Sequence, residues 1–261
     1  MNSWKNIWAI LKWVLLLAYL TVILSFVKAE RRAAPCSEIV YEISKNHAFV
    51  DTTDIYNMLM SDSLYPLRKP LSSINLKELE DVISSHQAVS SAEVYTEIDG
   101  KIHIRLQQRN PVLRIITESN MHYYVDDANG LMSVGYDYTA DVPVLSGQLD
   151  DTLVMAFKNG NDTLKLPEYP FTMADLIEFA GFLYSHDIWR NQIVQVYIDH
   201  AGEFELIPRV GNHIIILGKL ENYHYKLKKL EAMYKKTFLD FGWKEYKTIN
   251  LKYSNQVVCS K

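Results

Sequence analysis

Residues 89–108 read VSSAEVYTEIDGKIHIRLQQ, and the soluble part of the chain is read outward from them. Apolar and polar side chains alternate over residues 89–98. Over 101–108, Ile102, Ile104 and Leu106 fall on one face, the period of two that a half-buried strand requires. Between the two runs, Asp99-Gly100 carries the chemistry of a two-residue hairpin turn, because glycine reaches positive φ without a Cβ clash. Upstream, Leu76, Leu79, Val82 and Ile83 line one face of a helix expected over 76–85, with Asn75 as its cap. Thr52-Thr53-Asp54 offers side-chain oxygens to the orphan amides of an earlier helix running through Met60. Pro66 and Pro70 punctuate the loop between them, and EIVYEI over 38–43 reads as a strand. The unit is β-α-α-β-β.

Downstream of Pro111 the texture turns strand-rich, with strands expected over 112–117, 121–125, 131–134 and 142–147 and a turn at Asp126-Asp127-Ala128-Asn129-Gly130. Residues 150–170 are rich in turn formers and read as an inserted loop. A helix follows over 172–186 with Thr172 as N-cap. Strands over 193–198, 203–207 and 214–217 are joined through His200-Ala201-Gly202 and Gly211-Asn212. Leu220, Tyr223, Leu227, Leu230, Tyr234 and Phe238 make one face of a helix over 219–241 that Gly242 ends. Its other face carries Lys226, Lys228, Lys229, Lys235 and Lys236, either a solvated face or an attraction for acidic lipid or a partner. The chain closes with a strand over 248–259, TINLKYSNQVVC.

Residues 7–27, IWAILKWVLLLAYLTVILSFV, are apolar apart from Lys12. At 1.5 Å per residue this makes roughly 31 Å of helix, matching a hydrocarbon core of about 30 Å. Lys12 lies near enough to one end to snorkel, and Trp4, Trp8 and Trp13 form an interfacial belt with it. A cleaved signal peptide is the weaker reading, because the apolar run is long and no small-residue cleavage site follows directly. Lys5 and Lys12 on one flank face Lys28, Arg31 and Arg32 on the other, so charge alone does not orient the span.

Bulk composition narrows the function. Hydrophobic residues at 48% support a buried core, while a net charge of −4 and pI near 6.1 argue against nucleic acid, which demands a basic footprint. Cys36 and Cys259 are compatible with a disulfide outside the cytosol or with two free thiols, and neither sits at metal-ligand spacing. The chain holds no phosphate-cradling glycine loop, nucleophile elbow or H-E-x-x-H pair, and its eight histidines share no ligand spacing. No catalytic residue, cofactor site or metal site is expected, nor any small-molecule substrate. Asn161-Asp162-Thr163 fits a glycosylation sequon only weakly.

The order of parts resembles the bacterial cell-division family FtsQ/DivIB. Its strings are Arg109-Asn110-Pro111-Val112 after the third strand of the small unit, YYVDDANG over 123–130, VPVLSG over 142–147 and TINLKY over 248–253. Residues 150–170 have no clear counterpart, and Lys252 stands where arginine is usual; the tyrosine-rich chain is reminiscent of Bacteroidetes members. The resemblance implies an α+β protein with a cytoplasmic tail (1–6), a transmembrane helix (7–27), a stem (28–37), a POTRA domain (38–109) and a β domain with two helices (110–261). It implies an inner-membrane, single-pass divisome scaffold with periplasmic domains. Such a scaffold recruits FtsB- and FtsL-like partners and, through them, bears on septal peptidoglycan synthases. Leu251, Lys252 and Tyr253 fall on the string associated with FtsB binding, and Ser254 and Asn255 extend it. A strand at a sheet edge offers unpaired backbone groups to an incoming strand, which suits that role. The competing classes are another POTRA-bearing envelope assembly or transport factor and a membrane-anchored ligand-binding domain.

Overall fold

Ile102, Ile104 and Leu106 are fully buried, and the strand they define, β3, is the centre of the first unit. The computed structural model describes residues 8, 11–24, 34–97, 99–133, 138–167, 169–241 and 246–261. The chain divides into two compact units, Met1–Gln108 and Arg109–Lys261.

In the first, β1 (Ile39–Ile43) runs parallel to β3 (Ile102–Gln108), and β2 (Val89–Thr96) runs antiparallel to it on the other side. The helix Thr52–Ser61 buries Ile55 and Leu59, and the helix Leu76–Ser84 buries Leu79 and Ile83, as three-four spacing demands. Asn75 caps the second helix by accepting from the Glu78 amide at 3.4 Å. The first helix starts earlier than its threonines suggest. Asp51 is the N-cap, accepting from the amides of Thr53 and Asp54 at 2.7 and 2.9 Å, while the Asp54 carboxylate accepts from the Asp51 amide. The expected two-residue hairpin turn is also corrected. The Glu97 amide bonds the Lys101 carbonyl at 3.1 Å, and Gly100 sits at φ 84, so the β2–β3 loop is of the longer type that ends on a left-handed glycine.

Residues 11–24 are helical and exposed. Among the described residues no helix is long and apolar enough to cross a membrane; the expected 7–27 span runs past them at both ends.

The second unit is built on a nine-stranded sheet, ordered β12-β11-β10-β9-β8-β7-β4-β5-β6. Its strands are β4 (Pro111–Ile116), β5 (His122–Asp126), β6 (Leu131–Ser133), β7 (Val144–Gly147), β8 (Ile193–Ile198), β9 (Phe204–Pro208), β10 (Ile214–Gly218), β11 (Thr248–Asn250) and β12 (Val258–Ser260). Parallel pairs join β4 to β7, β7 to β8 and β10 to β11, and a helix bridges the last two neighbours. That helix, Tyr223–Phe241, buries Tyr223, Leu227, Leu230 and Tyr234; the side chain of Phe238 and the expected cap at Gly242 lie outside the described residues. The helix Met173–Ser185 opens with a capping box in which Thr172 and Asp175 exchange bonds at 3.2 and 2.7 Å. Its Phe179 meets Phe204 and Tyr223 edge-on in the core, an arrangement that aromatic quadrupoles favour.

Two expectations fail in this unit. Residues 150–170 are not all loop: Asp151–Lys158 is a helix capped by Asp150, with Leu153 and Val154 buried, and the unit therefore has more than two helices. The helix ends in the amide pattern of a Schellman motif, Gly160 to Phe157 and Asn161 to Ala156, with Gly160 at φ 81. The closing strand is likewise not continuous. It breaks after Asn250 and resumes at Val258, so the chain ends in a hairpin.

Candidate partner-binding edge

The break after Asn250 has a local cause. The Leu251 amide still donates to the Ile216 carbonyl at 2.9 Å, but the next amide, of Lys252, turns to the Asn250 side chain at 3.0 Å. Residues 252–256 are exposed and form the hairpin loop. The chain then returns antiparallel to β11, pairing Thr248 with Ser260, Ile249 with Cys259 and Asn250 with Val258. The hydroxyls of Thr248 and Ser260 lie 2.6 Å apart, while Val257 and Cys259 pack on the core. The sheet therefore ends at β12, a few residues beyond the segment the sequence singled out.

The expected contact residues separate accordingly. Leu251 is wholly buried and belongs to the core, so it can shape a partner surface only from beneath. Lys252 lays its stem over Gly218, where an added Cβ would sit 2.8 Å from its Cγ, and its ammonium pairs with Glu203 at 2.7 Å. That hydrogen bond raises the Lys252 pKa. Tyr253 is 50% exposed, and Ser254 and Asn255 are exposed beside it. Val258, on the edge strand, is 42% exposed. Of the expected interfacial residues, Trp8, Lys12 and Trp13 are exposed on the N-terminal helical segment, and Trp4 lies outside the described residues.

The other strings turn out to be structural. Asp126, 2% exposed, accepts from Arg109 at 2.6 Å and from the amides of Ala128 and Gly130 at 3.0 and 2.5 Å. Arginine and aspartate from separate strings are thus one ion pair, which clamps the start of β4 to the β5–β6 turn. The turn chemistry of Asp126-Asp127 accounts for the turn but not for this pair; an aspartate followed four residues later by glycine, with an arginine just before β4, is the local signal for it. Gly130 is required there because an added Cβ would lie 2.3 Å from the Arg109 guanidinium and 2.8 Å from the Asp126 carboxylate. Gly147 ends β7 at φ 105 with the Ile198 backbone of β8 packed on its Cα.

Cys36 and Cys259 are both free thiols, and burial raises the pKa of each. Among the described residues no cluster of three or more His, Cys, Asp or Glu could hold a metal ion.

A β-α-α-β-β module followed by a β-rich unit with an open strand edge defines an α+β protein. Residues 34–107 match the family model for the POTRA-like domain, and residues 110–260 match the model described as FtsQ/DivIB, C-terminal related. The second match spans more than half of the chain, and the protein belongs to the FtsQ/DivIB family. A search of the curated proteins found no match.

Proposed function

We propose that the protein is a non-enzymatic cell-division scaffold that presents the outer edge of β12 to a single-pass partner of the FtsB or FtsL kind. Residues 7–27 anchor it in the bacterial inner membrane, residues 1–6 stay in the cytoplasm, and the POTRA unit (38–109) and β unit (110–261) lie in the periplasm at the septum. Family membership supports the division role, and the apolar 7–27 run supports the anchor.

One observation carries the docking reading: β12 stands at the end of the nine-stranded sheet, and no other described strand pairs with its outer side. An added strand would complete backbone hydrogen bonds along β12, and side chains at alternate positions would supply specificity. Tyr253, half exposed in the hairpin loop, suits the ring-anchor role that tyrosine often fills in interfaces.

A photo-crosslinking side chain at Val258 of the full chain in dividing cells should capture one small membrane protein. The same probe at Met121, exposed but in the loop before β5, should not. Equal labelling from both positions would sink the β12 reading. Tyr253→Ala should leave the melting temperature unchanged, because the ring is half exposed. It should weaken the captured complex by about 2 kcal/mol, roughly thirtyfold in Kd. Unchanged affinity in a binding titration would remove Tyr253 from the interface.

A further inference from the structure

The lysine run on the helix Tyr223–Phe241 is not one solvated face. Lys235 pairs with Glu231 at 2.5 Å, and Lys226 donates to the Lys219 carbonyl at 2.6 Å. Lys229 instead reaches under the β11–β12 hairpin. Its Nζ contacts the Tyr253 carbonyl and lies 3.4 Å from Leu251 O, 3.5 Å from Ser254 O and 3.4 Å from Gln256 O. The Tyr225 ring stands 5.3 Å away and adds a cation–π contact.

An ammonium carries three donors and no acceptor, so it is matched by carbonyls converging from one loop. Carbonyl dipoles turned inwards towards one another repel unless a cation sits between them. Burial lowers the Lys229 pKa, the sign of an ammonium drawn out of water. Lys228, its neighbour, is exposed on the helix.

We propose that Lys229 is a positioning residue for the docking edge: its ammonium gathers the carbonyls of residues 251–256 and thereby fixes the turn that sets β12 on β11. The inference rests on the reading of β12 as the docking strand, but it concerns the device that holds that strand in register. Three residue pairs join β12 to β11. The Thr248–Ser260 hydroxyl contact, the Lys247 amide bond to the Ser260 carbonyl and the packing of Val257 and Cys259 support its strands, but a hairpin this short depends on its turn to resist fraying.

The test uses the full chain in detergent micelles, comparing K229M with K228M, which removes the same charge from the same helix. Hydrogen exchange over residues 252–260 should quicken about tenfold or more in K229M, the scale set by losing hydrogen bonds to a charged, half-buried group in a local opening. Exchange over 193–218 should hold, showing that the sheet remains folded, and K228M should match the parent throughout. In cells, the crosslinked yield from the probe at Val258 should fall in K229M and not in K228M. Unchanged exchange in K229M, or equal changes in both variants, overturns the proposal. Faster exchange with an unchanged crosslinked yield overturns it as well, because Lys229 would then be structural only. If the parent's Val258 probe captures nothing, the docking reading fails while the exchange comparison still decides what Lys229 holds. Should K229M fail to fold, K229Q keeps a donor on the helix and should show a smaller change in the same direction; parent-like exchange in it overturns the proposal.

Discussion

Gly147→Ala is expected to damage the β unit severely. An added Cβ would lie 2.2 Å from the Ile198 carbonyl oxygen and 2.8 Å from its amide nitrogen, both backbone atoms of the neighbouring strand. Backbone cannot swing aside as a side-chain tip does, so β7 and β8 would have to part in the middle of the sheet. The φ of 105 adds strain for any residue with a Cβ. Together, strain and overpacking should cost about 3–5 kcal/mol, a large share of the roughly 5–15 kcal/mol that holds a domain folded, so the melting temperature should fall steeply. Thermal unfolding followed by circular dichroism checks this, with Gly181→Ala as the control. Gly181 lies within the Met173–Ser185 helix with open space around it, so alanine there should stabilise by about 0.5–1 kcal/mol through helix propensity. A parent-like melting temperature for Gly147→Ala would mean that the β7–β8 contact is looser than described.

Arg109→Met should destabilise the same unit by about 3 kcal/mol, since removing one partner leaves the Asp126 carboxylate buried without its countercharge. The Ala128 and Gly130 amides would still donate to it, which keeps the loss at the lower end of the range for broken buried pairs. Asp126→Asn should lose less, because the Arg109 side chain is 32% exposed and retains some access to water. The double variant should recover part of the single loss, a coupling of the kind contacting residues show. Urea titration of all three measures it. Strict additivity would show that the pair does not act as a unit.

Much of the fold was legible because its causes are local. The alternation over 101–108, the caps at Asn75 and Thr172 and the apolar stripe of the 223–241 helix depend on residues within a few positions of one another, and each element forms close to its expected place. The Asp151–Lys158 helix escaped notice because eight residues give barely two turns of period, set among Asp, Asn and Gly that favour turns elsewhere. Its Asp150 cap and the Asn159-Gly160 stop were the available signals.

The order of short strings was enough to place the chain in its family, but it could not say why their residues are there. Gly130 and Gly147 look alike in sequence. One makes room for an ion pair and the other for a neighbouring strand, distinctions that exist only once distant segments meet. The same holds at the docking edge. By alternation alone, residues 248–259 form one strand. In the folded chain β11 ends at Asn250, where the Lys252 amide turns to the Asn250 side chain; the carbonyls of Leu251, Tyr253, Ser254 and Gln256 lie about Lys229 of a distant helix, and the chain folds back as β12. Which strand is outermost is a property of the assembled sheet. It depends on pairing partners far apart in sequence, and no local period encodes it.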